Sequence, residues 1–282
     1  MNECIICGNK EFITVYSNTL KKCTRCGFAS ANMEISLEIL ESTYSINYFL
    51  GEEYLNYLQD KEVLQLNFEK RTHTIKKIIN GRLPVTNCLE IGCAYGFFGE
   101  ILKKHWNAAY LGIDVVPDAV AYGRNILKLD LITGDYLNLQ TMASAYSDIF
   151  MWDVIEHLQF PGGYLRKAYQ ELATGGRIYI TTGDFSSLLS RLQGPHWRMI
   201  HPPSHIHYFT RKNLFGLLES QGFSIVRSSY LPVYRSIRQV FYSLFLLNKK
   251  KGWLESLLKW IPARWNLAIN TYDIIFIIAE KR

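Results

Sequence analysis

The stretch that decides the fold reads Asn87-Cys88-Leu89-Glu90-Ile91-Gly92-Cys93-Ala94-Tyr95-Gly96-Phe97-Phe98-Gly99, followed by an amphipathic run from Glu100 to His105. A short apolar run, a glycine-rich turn and a helical pattern in that order predict a strand feeding a helix. Glycine admits positive φ and close approach of a ligand to the backbone, and the N–H groups of a helix start face outward. Several nucleotide cofactors bind at such turns. A dinucleotide fingerprint needs glycines at the first, third and sixth positions, which fall here on Gly92, Ala94 and Phe97, and the Lys-Ser/Thr pair of a phosphate loop is also missing. What remains is an acid, Glu90, two residues before the first glycine, and Gly96 four residues after it.

Working outward, short apolar runs alternate with amphipathic ones from Thr86 onward, the pattern of βα repeats around a parallel sheet. Tyr110-Leu-Gly-Ile-Asp114 is a second strand ending in an acid, 22 residues after Gly92, placed to accept hydrogen bonds from vicinal ribose hydroxyls. Leu131-Ile-Thr-Gly-Asp135-Tyr136 is a third strand with an acid at its end, and Ser147 to Leu158 holds the fourth, with Asp153-Val154-Ile155-Glu156-His157 at its exit. The run Tyr169 to Gly176 reads as a helix and glycine turn before a fifth strand, Arg177 to Asp184. Tyr272 to Glu280 reads as the edge strand that closes the sheet.

Together these segments resemble the class I S-adenosylmethionine-dependent methyltransferases. Their first motif, E/D-x-G-x-G-x-G, stands here as Glu90-Ile-Gly92-Cys93-Ala94-Tyr95-Gly96, with Ala in place of the middle glycine. The string Asp153 to Leu158 resembles the D-V-I-E-H-L segment of the branch containing ubiquinone-pathway and sugar methyltransferases, and His207-Tyr-Phe-Thr210 with Leu214 to Phe223 resembles that branch's ending. The resemblance implies an α/β fold with a doubly wound, mostly parallel seven-stranded sheet, Rossmann-like, over residues 81–282. It implies S-adenosylmethionine as cofactor, held by Glu90, Gly92, Cys93, Ala94, Gly96, Asp114, Val115, Asp135, Tyr136, Asp153 and Val154. Asp135 corresponds to an adenine-contacting residue, and Asp153 or its backbone would sit beside the methionine end.

Ahead of this domain stand Cys4-Ile-Ile-Cys7-Gly8 and Cys23-Thr-Arg-Cys26-Gly27. Zinc takes four soft ligands in a tetrahedron, and each CxxC supplies two from one tight turn. A β-prone run, Phe12 to Tyr16, a turn at Ser17-Asn18 and a second strand, Leu20 to Cys23, complete a small zinc ribbon over residues 1–35. Four thiolates leave no open position, so the expected zinc is structural. Residues 36–80 read as a helical and aromatic linker, with helices at Leu37 to Glu41 and Glu62 to Ile79; its aromatics, Tyr44 to Tyr57, serve either packing or a lid over the cofactor.

Methyl transfer to a hydroxyl needs a base active near neutral pH, and histidine has the right intrinsic pKa. Five histidines lie beyond the cofactor turns: His157, His196, His201, His205 and His207. His157, His205 and His201 are the leading candidates; an alternative is that Glu156 and His157 help hold a divalent ion. The expected acceptor is a small molecule, a sugar, polysaccharide intermediate or natural product, methylated on oxygen.

The net charge of +6 is spread over 31 basic and 25 acidic residues, and the longest basic run, Lys249 to Lys251, is three residues. Nucleic acid is therefore not an expected partner, and an RNA methyltransferase is the rival enzyme reading. A non-catalytic cofactor-binding protein is the rival from another class. The apolar and basic stretch within residues 236–267, with Trp253, Leu257 and Trp260 beside Lys250 and Lys259, is a lid or dimer surface, or else contacts a membrane or lipid-linked substrate. The opening residues lack a signal-peptide core, which predicts a cytoplasmic protein. The sequence leaves oligomeric state open.

Overall fold

The computed structural model describes residues 3–36, 38, 39, 43, 57–78, 86–106, 108–140, 143–237 and 265–282. The aromatic segment from Tyr44 onward is described only at Tyr57. Residues 238–264, most of the apolar and basic stretch, lie outside the described residues, as does most of the 37–41 segment. Among the described residues no helix is long and apolar enough to cross a membrane.

The chain opens with β1 (Phe12–Val15), β2 (Leu20–Cys23) and β3 (Ala29–Ala31), then α1 (Lys61–Ile78). The alternating part follows: β4 (Asn87–Ile91), α2 (Phe97–Trp106), β5 (Ala109–Asp114), α3 (Pro117–Asn125), β6 (Leu131–Thr133), β7 (Tyr146–Trp152), α4 (Pro161–Glu171) and β8 (Leu172–Gly183). After β8 come α5 (Leu188–Gln193), β9 (His207–Tyr208), α6 (Arg211–Ser220), β10 (Phe223–Tyr230), β11 (Val233–Ser236), β12 (Asn266–Ile269) and β13 (Ile274–Lys281).

The central sheet has seven strands in the order β10-β13-β8-β7-β4-β5-β6. From β8 to β6 all pairings are parallel; β13 and β10 join antiparallel. The expected α/β, doubly wound class therefore holds, with one correction. The C-terminal strand is not the edge: β13 lies between β8 and β10, and Phe223–Tyr230 forms the rim. Its sequence shows why, since Ile275 to Ala279 is apolar without interruption and buried throughout, as a strand covered on both faces must be.

Side chains alternate across the sheet. Along β7, Ile149 and Met151 enter one core with Leu89, Ile91, Ile178 and Leu214, while Phe150 and Trp152 enter the other with Phe98, Tyr179 and Phe276. The first of these cores also contains Cys4, Cys23 and Phe28.

The N-terminal ribbon is thus built into the larger domain. Its three strands are completed by β9 from the loop after β8, with Ala29 opposite Tyr208 and Ser30 opposite His207. The β1–β2 turn falls where Ser17-Asn18 predicted it, and Tyr16, Ser17 and Asn18 carry φ of 56°, 53° and 67°. At the other end β11 and β12 pair antiparallel, forming a two-stranded stem at the two ends of the 236–267 stretch. Asn67 of α1 grips that stem through both directions of its amide, to Tyr234 O at 2.8 Å and from Tyr234 N at 2.7 Å.

Candidate active site

The C-terminal ends of β4, β5, β6 and β7 lie side by side, and each carries one of the predicted acids. The β4 turn needs its glycines. Gly92 has φ +74°, and a Cβ there would come within 2.4 Å of the Val154 side chain; Gly96 has φ +80°. Ala94, where the motif has its middle glycine, also takes a left-handed conformation, φ 47°. Gly92 N and Cys93 N donate to Ile113 O at 2.8 and 3.1 Å, binding the turn to the neighbouring strand.

Asp114 organises this corner. Its Oδ2 accepts from Ala94 N at 2.7 Å and its Oδ1 from Val116 N at 2.9 Å. Burial raises its pKa, and those main-chain N–H groups oppose the rise. The Val115 N–H also faces the carboxylate, and at least one of the carboxylate's four lone pairs stays open to a ligand. Val115 beside it is exposed. Glu90 is buried, accepts from the Tyr110 hydroxyl, and is held well above the usual carboxylate range by desolvation.

The β6 end is tied to the helix that follows it. Asp135 caps the short helix Tyr136–Asn138, its Oδ1 accepting from Leu137 N at 2.9 Å and from the Tyr164 hydroxyl. The Tyr136 side chain is committed to the core, its hydroxyl donating to Glu171 Oε2 at 2.7 Å. Asp135 Oδ2 takes a single long contact, from Asn138 Nδ2 at 3.3 Å, and keeps a lone pair at this strand end.

At the β7 exit Asp153 is left-handed, φ 56°, and its N–H donates to Thr181 O at 3.1 Å. Arg71 of α1 reaches it from outside the sheet, Nη2 to Oδ2 at 3.4 Å. Val154 packs on the Gly92 backbone, joining the β7 exit to the β4 turn.

One turn further, Glu156, His157 and His205 bring a carboxylate oxygen and imidazole nitrogens within 4.8 Å of one another. His205 stands edge-on to His157 at 4.5 Å between ring centroids and lies 3.9 Å from His201. All three leading histidine candidates therefore meet. His196 ends a short helical turn near Trp197, and His207 packs against Phe28 inside the ribbon contact, so neither belongs to this group.

Glu156 and His205 are buried, whereas His157 and His201 retain partial exposure. Met199 O faces His205 Nδ1 at 2.9 Å and Ser204 O faces His157 Nδ1 at 2.8 Å. A carbonyl only accepts, so both Nδ1 atoms carry the proton, and in the neutral ring Nε2 is the basic atom. Desolvation pushes His157 down to about 4 and lowers His205 and His201. It pushes Glu156 up to about 8, with the charge of Asp153 adding to the rise. Both Glu156 oxygens are buried, and the Thr182 side chain opposes the rise.

Sequence reasoning placed Glu156 beside His157 but missed it as a carboxyl tuned to neutral pH, and missed Arg71 altogether. A glutamate next to histidine signals nothing of its burial, and Arg71 sits in a helix 80 residues before the strand it serves.

In the ribbon the four Sγ atoms lie within 4.8 Å of one another, with Cys4 to Cys26 at 3.5 Å and Cys7 to Cys23 at 3.6 Å. A tetrahedron with zinc–sulfur bonds near 2.3 Å has sulfur–sulfur edges of about 3.8 Å, so the donor set and its dimensions fit zinc.

A family model described as a methyltransferase domain matches residues 53–228, more than half of the chain. The chain belongs to the methyltransferase-domain family. Solved structures of similar fold include an S-adenosylmethionine-dependent methyltransferase from Thermotoga maritima, at 17% identity and TM-score 0.53 over 83% of this chain and 96% of that one. Another from Archaeoglobus fulgidus is 17% identical, with TM-score 0.52 over 80% and 99% of the two chains. The [4+2]-cyclase SpnF matches at 14% identity and TM-score 0.50, over 74% and 80%. At such identities the likeness is one of fold, and the cyclase among these neighbours shows that a methyltransferase fold can serve other chemistry.

Proposed function

We propose that this methyltransferase transfers a methyl group from S-adenosylmethionine to a hydroxyl of a small molecule, a sugar or natural product. The observation that carries this reading is the clustering of Glu156, His157 and His205 at the β7 exit, next to the row of strand ends bearing Glu90, Asp114 and Asp153. In α/β sheets ligands bind beyond the carboxyl ends of the strands.

The cofactor supplies an electrophilic methyl group and a sulfide leaving group. The protein orients the acceptor and takes its proton. Asp114 orders the turn and offers its remaining lone pairs to the ribose. His157, partly exposed at the strand exit, accepts the proton on Nε2. A histidine held near 4 is a weak base alone, and Glu156 supplies the missing basicity: once ionised, it stabilises the imidazolium. His205 packs edge-on against the His157 ring and is itself anchored to Met199 O.

The four thiolates hold a structural zinc. The ribbon supports the histidine loop from behind: Ala31 N donates to Ile206 O at 2.9 Å, and Ile206 N donates to Glu156 O at 3.1 Å. β3, paired to the Cys23-bearing β2, is therefore two main-chain hydrogen bonds from Glu156, the residue before the proposed base.

The test is to incubate the purified protein with methyl-labelled S-adenosylmethionine and either a panel of nucleotide sugars and phenols or total RNA. Label in the small-molecule fraction, lost in His157→Ala, is the expected result. Label confined to RNA would replace the acceptor reading, and no cofactor binding by calorimetry would favour a non-catalytic protein.

A further inference from the structure

Asp273, on the turn that leads into β13, is a fully buried carboxylate that grips the start of the histidine loop. Its Oδ2 accepts from Trp197 Nε1 at 2.9 Å, and Arg198 Nη2 donates to both of its oxygens at 2.9 Å. The Thr271 hydroxyl donates to Oδ1. The main-chain carbonyl of Asp273 accepts from Asp184 N at 2.7 Å, which ties the turn to the end of β8, where the histidine loop departs. Trp197 fills the corner so formed. It is buried with Phe185, Met199 and Tyr208, and it lies so close to Gly183 that a Cβ there would come within 2.9 Å of its ring.

From this anchor the loop runs directly to the histidines. Ile200 N donates to Trp197 O at 2.8 Å, the carbonyl of Met199, next to Arg198, takes the Nδ1 proton of His205, and that of Ser204 takes the Nδ1 proton of His157. Arg198 is close enough that its charge opposes protonation of His201 and His205. A buried ion pair adds little to stability, because desolvation of the two charges offsets their attraction. Its effect here is on geometry. We propose that Asp273 is a positioning residue for proton transfer, fixing through Trp197 and Arg198 the loop whose Met199 and Ser204 carbonyls set the tautomers of His205 and His157. This rests on the reading of His157 as the proton acceptor. A neutral imidazole accepts on Nε2 only while Nδ1 keeps its own proton, so an acid at the start of β13, two strands from β7 in the sheet, decides which nitrogen is basic.

Long-range proton–nitrogen correlation spectra of protein carrying nitrogen-labelled histidine report the tautomer of each ring, and they test this together with the rate of methyl transfer. The unaltered protein should show His157 and His205 protonated on Nδ1. Asp273→Ala is expected to lose that single tautomer at both rings and to lower kcat by up to about 100-fold, the cost of a misplacement on the order of 1 Å. S-adenosylhomocysteine should bind it as before, since the cofactor turn is untouched. Asp273→Asn keeps an oxygen for Trp197 but gives up the charge that holds Arg198, so it should fall between the two, and it carries the test where the alanine variant fails to fold. Tyr179→Phe removes a buried bond to Asp148 elsewhere on the sheet and controls for lost stability: its tautomers and kcat should match those of the unaltered protein. Retention of both Nδ1-protonated rings and full kcat in the Asp273 variants would overturn the proposal. Full activity of His157→Ala beside lost tautomers in Asp273→Ala would instead sink the reading of His157 as the base while upholding Asp273 as the anchor of the histidines.

Discussion

The main-chain N–H of Ala94 donates to Oδ2 of Asp114 at 2.7 Å, tying the middle of the β4 turn to the acid that ends β5. The carboxylate expected to hold ribose therefore also shapes the loop that receives the rest of the cofactor. Asp114→Ala is expected to weaken S-adenosylhomocysteine binding by about 1–3 kcal/mol and also to lower the melting temperature, since it leaves two buried N–H groups unpaired. Calorimetry with thermal unfolding checks this, and full affinity in the variant would remove Asp114 from the site.

Ala94 carries a left-handed backbone that glycine adopts freely. Ala94→Gly is predicted to keep or raise stability, by up to about 1 kcal/mol, as strain relief offsets the added freedom of the unfolded chain. Gly92→Ala is predicted to do the opposite, because its Cβ would sit 2.4 Å from Val154 Cγ2. Denaturant unfolding should show Gly92→Ala destabilised and Ala94→Gly at or above the stability of the unaltered protein.

Elemental analysis should find one zinc per chain. Cys26→Ser should lose it, and with it much of the methyl-transfer rate, because β3 holds the segment that bonds Glu156. Two zinc equivalents per chain would place an ion in the Glu156, His157 and His205 cluster and replace its reading as a proton acceptor.

Glu156 ionises near 8 in the fold, so the rate of methyl transfer at saturating cofactor is expected to rise with pH through about 8. Glu156→Gln should abolish that rise and lower the plateau by about 100-fold, the low end of what a positioned acid or base contributes. A rate profile unchanged in the variant would exclude Glu156 from the proton path.

His207 is buried between the ribbon and the catalytic domain and is held down to about 4 by desolvation. The unfolded chain protonates its histidines near 6.5, so the native state binds fewer protons between about 6.5 and 4. Stability is accordingly lost as pH falls through that window. His207→Leu should flatten the loss by about 1–3 kcal/mol, measured by urea unfolding at pH 7 and pH 5.

How much of this was legible beforehand follows from the range of each interaction. The glycine turn, the strand-end acids, the CxxC pairs and the β1–β2 turn are local signals, set by backbone conformation and short-range spacing, and the sequence by itself determined the fold class and the four-thiolate cluster. Strand order was not local. An uninterrupted apolar run says that Ile275 to Ala279 is covered on both faces, but packing chose which strands flank it. Asp135 and Tyr136 sit where the motif puts them, yet Tyr164 and Glu171, about 30 residues later, claim their side chains. The convergence of Glu156 with His205, the pinning of the histidine tautomers and the reach of Arg71 to Asp153 were likewise decided only by tertiary structure. Each depends on desolvation or on a meeting of distant segments, and both arise only when the chain closes on itself.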